Sequence, residues 1–229
     1  MKRILDYFTK FEIGLWSGSI LAIVLSFCIF DRENYLTLIA SIIGATFLIF
    51  NAKGNPIGQF LTIVFSILYG IISYSFAYYG EMITYLGMTF PMAAFALVSW
   101  LKNPYNNNKS EVKVNKLSRL EIAFMLVLTL IVTVIFYFIL NYFNTANIVP
   151  STVSVTTSFL AVYLTFRRSP YFALAYATND LVLIVLWVLA SITDISYLSV
   201  VICFIVFFVN DMYGFINWKR MEKRQKVNM

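Results

Sequence analysis

Two asparagine–aspartate doublets, Asn179-Asp180 and Asn210-Asp211, fall inside long apolar runs of this sequence. A carboxamide offers two N–H donors and a carbonyl acceptor. If two such groups faced each other at one depth, they could hold a neutral polar ligand with an amide or sugar hydroxyls. At about 1.5 Å per helical residue, Asn179 and Asn210 each lie about 12 Å from the basic end of their helix. The aspartates also need a reason to be there, because a charge at membrane depth costs about 2.5–3.5 kcal/mol on insertion scales.

Helical spacing adds further groups. Asp180 and Trp187 are seven residues apart and share a face, as do Asn210 and Asn217, Thr62 and Tyr69, and Gln59 and Ser66. Each has two readings. The asparagines either touch a ligand or bond between helices as packing contacts. Asp211 either touches the ligand or pairs with Lys219 or Arg220, and Asp180 does so or answers Arg167 or Arg168. Trp187 is a pocket wall or a lipid-facing side chain. Gln59 is a gate or a helix cap. Trp100 and Trp218 read as interfacial belt residues. Pro91 cannot donate a hydrogen bond and stands one turn after Gly87, so the pair predicts a bend, either a hinge or a static kink.

Some chemistry is excluded. The chain has no histidine and two cysteines. Cys28 and Cys203 lie in apolar runs and read as small buried hydrophobes. No metal site and no cofactor are expected. No nucleophile stands beside a base, so neither a catalytic residue nor an intramembrane enzyme is expected. With few acids at depth, strong proton coupling is not expected, and Asp180 is the one candidate proton carrier.

These residues need elements to position them. Of the 229 residues, 60% are hydrophobic and 12% charged, against about 25% charged in soluble domains. Mean hydropathy is +0.79. Such a chain belongs in a membrane. Eight runs approach the ~20 residues that a spanning helix needs: 11–30, 35–50, 57–79, 82–100, 120–142, 151–166, 171–192 and 197–218. They are apolar on all faces, which argues for helices rather than barrel strands. The first run is too long for the apolar region of a signal peptide and reads as a retained helix.

Orientation follows from the bases. With the N-terminus in the cytoplasm, of the 17 Lys and Arg only Arg32 falls outside. Both termini are therefore expected in the cytoplasm, with the protein in the plasma membrane and in contact with its lipid. The net charge of +6 then needs no nucleic-acid partner. The segment 219–229 reads as a basic tail beside anionic headgroups. The stretch 101–119, with Pro104 and three asparagines at 106–108, reads as a flexible cytoplasmic linker.

The spans divide as one, three, one, three. Residues 1–34 carry an extra, peripheral helix, 35–100 a first three-helix repeat, 120–150 a linker helix, and 151–218 a second repeat. Each repeat opens with a short helix, turns at a basic loop before a proline (Pro56, Pro170), and ends in tryptophan and a base. An odd number of helices between the repeats makes them parallel, and a cavity is expected where they meet.

Several stretches together resemble the PnuC family of vitamin transporters. They are Asn51-Ala-Lys-Gly-Asn-Pro-Ile-Gly-Gln59, Tyr69-Gly-Ile-Ile-Ser73, Thr89-Phe-Pro-Met92 through Trp100-Leu-Lys-Asn-Pro104, and Phe208-Val-Asn-Asp211 with Gly214-Phe-Ile-Asn-Trp218. The likeness covers nearly all the chain after residue 35. It implies facilitated diffusion of nicotinamide riboside, or in relatives of thiamine, riboflavin or deoxyribonucleosides. It also implies a SWEET-like all-α fold, a homotrimer, and trapping of the imported nucleoside by a cytosolic kinase. The expected substrate contacts are Asn179, Asn210, Gln59, Tyr69, Phe172, Asp180 and Trp187. Where nicotinamide riboside carriers of this family place a Trp-x-x-Trp pair, this chain has Phe172 and Ala175. A competing reading is a non-transporting, substrate-binding membrane subunit that works with an ATPase.

Overall fold

The computed structural model describes residues 7–75, 79–145 and 147–227. The basic start at Lys2 and Arg3 and the expected end of the third span at 76–78 lie outside them. Among the described residues, eight helices are long and apolar enough to cross a membrane. They are α1 (Lys10–Phe30), α2 (Tyr35–Ala52), α3 (Pro56–Ser75), α4 (Tyr79–Lys102), α5 (Arg119–Tyr142), α6 (Ile148–Phe166), α7 (Phe172–Ser191) and α8 (Leu198–Val227).

Local chemistry sets the helix starts. Thr9 and Ser118 cap α1 and α5, and in each case a glutamate three residues on, Glu12 or Glu121, returns the hydrogen bond. That reciprocal box satisfies N–H groups that a helix start leaves orphaned. The α2–α3 and α6–α7 turns are alike. Gly54 and Arg168 adopt φ +65° and +56°, and the N–H of each bonds the carbonyl three residues back, on Asn51 or Thr165. Pro56 and Pro170 follow.

The two three-helix units meet along two matching seams, α2 against α8 and α6 against α4. Crossed hydrogen bonds tie the seams at the basic end. Trp100 Nε1 donates to the Thr165 carbonyl at 2.9 Å, and Trp218 Nε1 to that of Asn51 at 2.8 Å. Ser99 Oγ donates to the Phe166 carbonyl at 3.0 Å, and Asn217 Nδ2 to that of Ala52 at 2.8 Å. Each unit's last helix thus caps the C-terminus of the other unit's first helix. Trp100 and Trp218 are 1% and 0% exposed, so they are not belt residues. A helix C-terminus leaves carbonyls unpaired, and a buried indole N–H needs an acceptor, so the two needs cancel.

The structure departs from expectation in several further places. The stretch expected to be a flexible linker contains a hairpin, β1 (Pro104–Tyr105) with β2 (Asn108–Val112). Asn106 and Asn107, at φ 48° and 60°, form its two-residue turn, because asparagine tolerates the left-handed region. The basic tail continues α8 as far as Val227. Its Gln225 is buried and bonds the hairpin at Val112 O and the following Val114 N–H. Cys203 is buried but Cys28 is exposed, on the side of α1 turned away from the bundle. The expected bend in α4 is a π-helical segment, Thr84–Thr89, in which the Phe90 N–H reaches the Tyr85 carbonyl. Pro91 supplies no N–H and its ring crowds the carbonyl four residues back, which favours the wider turn.

Candidate functional site

A cavity of about 50 Å³ lies between the two units, and all six of their helices line it. Its aromatic walls come from Phe47 on α2, Phe65 on α3, Tyr85 on α4, Tyr176 on α7, and Phe204 and Phe207 on α8. Ring centroids are 5.3 Å apart for Phe47–Phe65, 6.0 Å for Phe65–Tyr85 and 6.1 Å for Phe65–Phe207. Gly44 makes room for this wall, since a Cβ there would sit 2.2 Å from the Phe207 ring. The π segment contributes Tyr85 and Thr89 to the lining.

The polar groups gather on one side. Asn179 Oδ1 accepts from the hydroxyls of Thr157 at 2.8 Å, Ser158 at 3.1 Å and Ser154 at 3.3 Å. These hydroxyls form a stripe along α6, and with Oδ1 saturated the Nδ2 donors of Asn179 are the groups left for a ligand. Beside it, Asp180 of α7 and Asp211 of α8 line the cavity with their carboxyls in hydrogen-bonding reach of each other. Neither pairs with a base as expected: Arg167 bonds Glu121 and Lys219 bonds Glu222. No Lys or Arg is among the described residues that line the cavity.

Aromatic layers close both ends. Towards the less basic end, Tyr69 packs on Tyr85 at 4.4 Å, and Trp187 on Tyr197 at 5.3 Å. Tyr69 and Trp187 share a small pocket there with Asp31 and Asn34. Towards the basic end, Phe172 meets Trp218 edge-on at 4.8 Å, and Trp218 meets Trp100 at 5.4 Å.

The expected contact residues therefore separate into groups. Asn179 and Asp180 line the cavity. Tyr69 and Trp187 belong to one closing layer and Phe172 to the other. Gln59 lies below, where its Nε2 donates to Asn51 Oδ1 at 2.8 Å. That contact needs Gly58, whose Cβ would lie 2.2 Å from Asn51 Oδ1. Asn210 is not across from Asn179. Its Nδ2 donates to Ser19 of α1 and to the Val206 carbonyl, both at 2.8 Å. Successive helix residues point about 100° apart, and α8 turns Asp211 inward, which leaves Asn210 facing α1. A Cβ at Gly87 would make only an ordinary van der Waals contact, with Ile83 Cγ2 at 3.7 Å.

Sequence reasoning missed Tyr85, Tyr176 and the α6 hydroxyls. A signal for the last exists in Ser151-Thr-Val-Ser-Val-Thr-Thr-Ser158, an unusually hydroxyl-rich start for a membrane helix.

Comparison with known proteins is consistent with this architecture. The family model described as nicotinamide mononucleotide transporter matches residues 34–220. A nicotinamide riboside transporter PnuC from Neisseria mucosa is 25% identical over 221 residues, which is 94% of this chain and 83% of that protein. A crystal structure of the vitamin B3 transporter PnuC superposes with a TM-score of 0.81 at 22% identity, covering 95% of this chain and 94% of the other.

Proposed function

The chain belongs to the nicotinamide mononucleotide transporter family, and on that premise we propose that it carries nicotinamide riboside across the plasma membrane by facilitated diffusion. The observation that carries this reading is the cavity between the two units. It has aromatic walls for a flat ring and Asn179 beside two carboxyls, with no base among the described lining residues. A phosphate dianion would meet two carboxyls and no cation there, so the riboside fits and the mononucleotide does not. Nicotinamide riboside is a ring cation, and aromatic faces and carboxyls attract a cation.

In this reading Asn179 Nδ2 bonds the ligand carboxamide or a ribose hydroxyl, and Tyr85, Tyr176 and Phe65 stack on the ring. Drug-sized ligands occupy pockets of about 300 Å³ or more, so one aromatic layer parts to admit the ligand. The two units rock about the α2–α8 and α4–α6 seams, and Gly87 and Pro91 on α4 take up part of that motion. Both termini lie in the cytoplasm, the carrier is a homotrimer, and a cytosolic kinase phosphorylates the nucleoside so that it cannot return.

Ala175, where family carriers of nicotinamide riboside have an aromatic ring, favours a second reading in which the same mechanism serves another vitamin or nucleoside. Titration of the purified protein with nicotinamide riboside, thiamine, riboflavin and thymidine, followed by uptake into proteoliposomes, separates the two. Selective binding and saturable uptake of nicotinamide riboside are expected. Selective binding of another compound reassigns the cargo, and binding without uptake leaves a substrate-binding subunit.

A further inference from the structure

Among the described residues that line the cavity, none supplies the Asp180–Asp211 pair with a positive charge. Both side chains are at least 95% buried, and Asp180 Oδ2 has no hydrogen-bond partner among the described residues. The titratable groups facing the pair are Tyr176 on α7, Tyr85 on α4 and Cys203 on α8, none of them a base. The cavity residues of α2, α3 and α6 (Phe47, Leu48, Thr62, Phe65, Ser158) carry no ionisable group. In the same cavity the buried Asn179 has its Oδ1 taken up by the hydroxyls of α6, so Nδ2 is the polar group it has left to offer a ligand. The site is therefore built to receive something, and its charge count decides what.

A net charge in a low-dielectric cavity is expensive, about several kcal/mol per ion even after relaxation. Without a cation, the pair reaches neutrality only with a proton on each carboxyl. With a singly charged ring cation beside it, neutrality is reached with one proton, shared between the two oxygens that face each other. Loading and emptying the cavity therefore differ by one cation and one proton.

We propose that Asp180 and Asp211 form a charge-exchange site, at which a ring cation enters as one proton leaves the carboxyl pair for water. The proton moves to solvent on the side to which the cavity is open, and the cation takes its place. On release of the cation, a proton from that side's water restores the pair. The loaded and the empty carrier then carry the same net charge, and each crosses the membrane without working against the membrane potential. Without a pH difference across the membrane the nucleoside gradient alone sets net flux, as in facilitated diffusion; with one, the proton gradient adds to the driving force and the carrier works as a cation–proton exchanger. This inference rests on the reading above only in taking the ligand to be a cation.

The experiment is calorimetric titration of the full chain in detergent with nicotinamide riboside, thiamine and thymidine, each in phosphate and in Tris at one pH. The two buffers differ in ionisation enthalpy, so the difference in heat counts protons. For a cation, release of about one proton is expected, with affinity rising up to about tenfold per pH unit. Thymidine, if it binds, should release none. Asp211→Asn keeps a donor beside Asp180 and should keep the exchange. The Asp180→Asn/Asp211→Asn double variant should lose it, and its preference for nicotinamide riboside over the uncharged dihydro form should fall at least tenfold. The dihydro form reports whether the variant still folds.

Nicotinamide riboside binding with equal heat in both buffers overturns the exchange and leaves the carrier reading intact. If nicotinamide riboside does not bind but thiamine does with proton release, the cargo is reassigned and the exchange stands. If only the neutral ligand binds, or none does, both fall. Uptake into proteoliposomes gives a check free of variants: a pH difference should change the rate and a potassium diffusion potential should not. The opposite pattern overturns the proposal.

Discussion

At the level of single residues, the two asparagines make the sharpest contrast. Asn179 and Asn210 sit in the same kind of local sequence, yet one gathers three hydroxyls at the cavity and the other bonds Ser19 of α1. Asn179→Ala should therefore weaken ligand binding at least tenfold, since it removes the Nδ2 donors and takes from the Ser154 and Ser158 hydroxyls their acceptor. Asn210→Ala should leave affinity unchanged and lower stability in detergent by about 1 kcal/mol, the scale of an interhelical hydrogen bond in a membrane protein. Parallel binding and thermal-unfolding curves test both, and a loss of affinity in Asn210→Ala without loss of stability would put that residue back in the cavity. The sequence revealed the depth of both residues because depth follows from counting. It did not reveal which way each faced, because the rotation of α8 is set by what packs on either side. Asn210 has its partner on another helix because α1 is there, and nothing in residues 198–218 announces α1. The Asp180–Asp211 contact was hidden for the same reason: each aspartate has a base nearby in sequence, and the fold assigns those bases to Glu121 and Glu222.

Among the elements, the seams and the π segment are where sequence reading was partly right. The end of each unit in tryptophan and a base is visible as a repeat, but its physical meaning is the crossed capping of α6 by Trp100 and of α2 by Trp218. Trp100→Phe and Trp218→Phe should each cost about 1–3 kcal/mol, the cost of stranding a buried hydrogen-bonding group. By the symmetry of the contacts their effects should match within about a factor of two. Unfolding of the two single variants measures this, and a large effect at one site only would show that the seams are not equivalent. In α4, Pro91→Ala restores an N–H and removes the ring that crowds the preceding turn, so residues 84–89 should wind as ordinary α-helix. Tyr85 then leaves the cavity wall, and transport should drop severalfold while stability holds or rises. Gly87→Ala should leave stability unchanged, since the added methyl meets nothing closer than 3.7 Å. The hairpin at 104–112 escaped notice because a run of asparagines looks like a solvated linker by composition. It folds because asparagine is the side-chain-bearing residue best suited to positive φ, a conformational property that composition does not record.

For the whole molecule, charge and hydrophobicity were enough. Counting apolar runs and placing the bases found all eight spans, because the bilayer imposes the same length on each helix and an asymmetric charge on the loops. The bases that the structure describes, all but Arg32, gather at the end that also holds the hairpin, the two basic turns and the last turns of α8. If that end faces the cytoplasm, a cysteine in place of Asn107 at the hairpin tip should resist a membrane-impermeant maleimide in right-side-out vesicles and react in inverted ones. Asn107 is exposed, so its reactivity is limited by the membrane and not by packing. Cys28 is exposed and should be changed to serine in the background, whereas Cys203 is buried and can stay. A second cysteine at Arg32, between α1 and α2, should give the reverse pattern, because an odd number of spans, α2 to α4, separates the two positions. Labelling of both positions from one side would require one of those spans to be re-entrant and would move the cavity away from the midplane. Labelling of each from the opposite side to that expected would keep the fold and invert the carrier. The second outcome would also remove the kinase-trapping argument, because the hairpin end would then face away from the cytosol where that kinase acts.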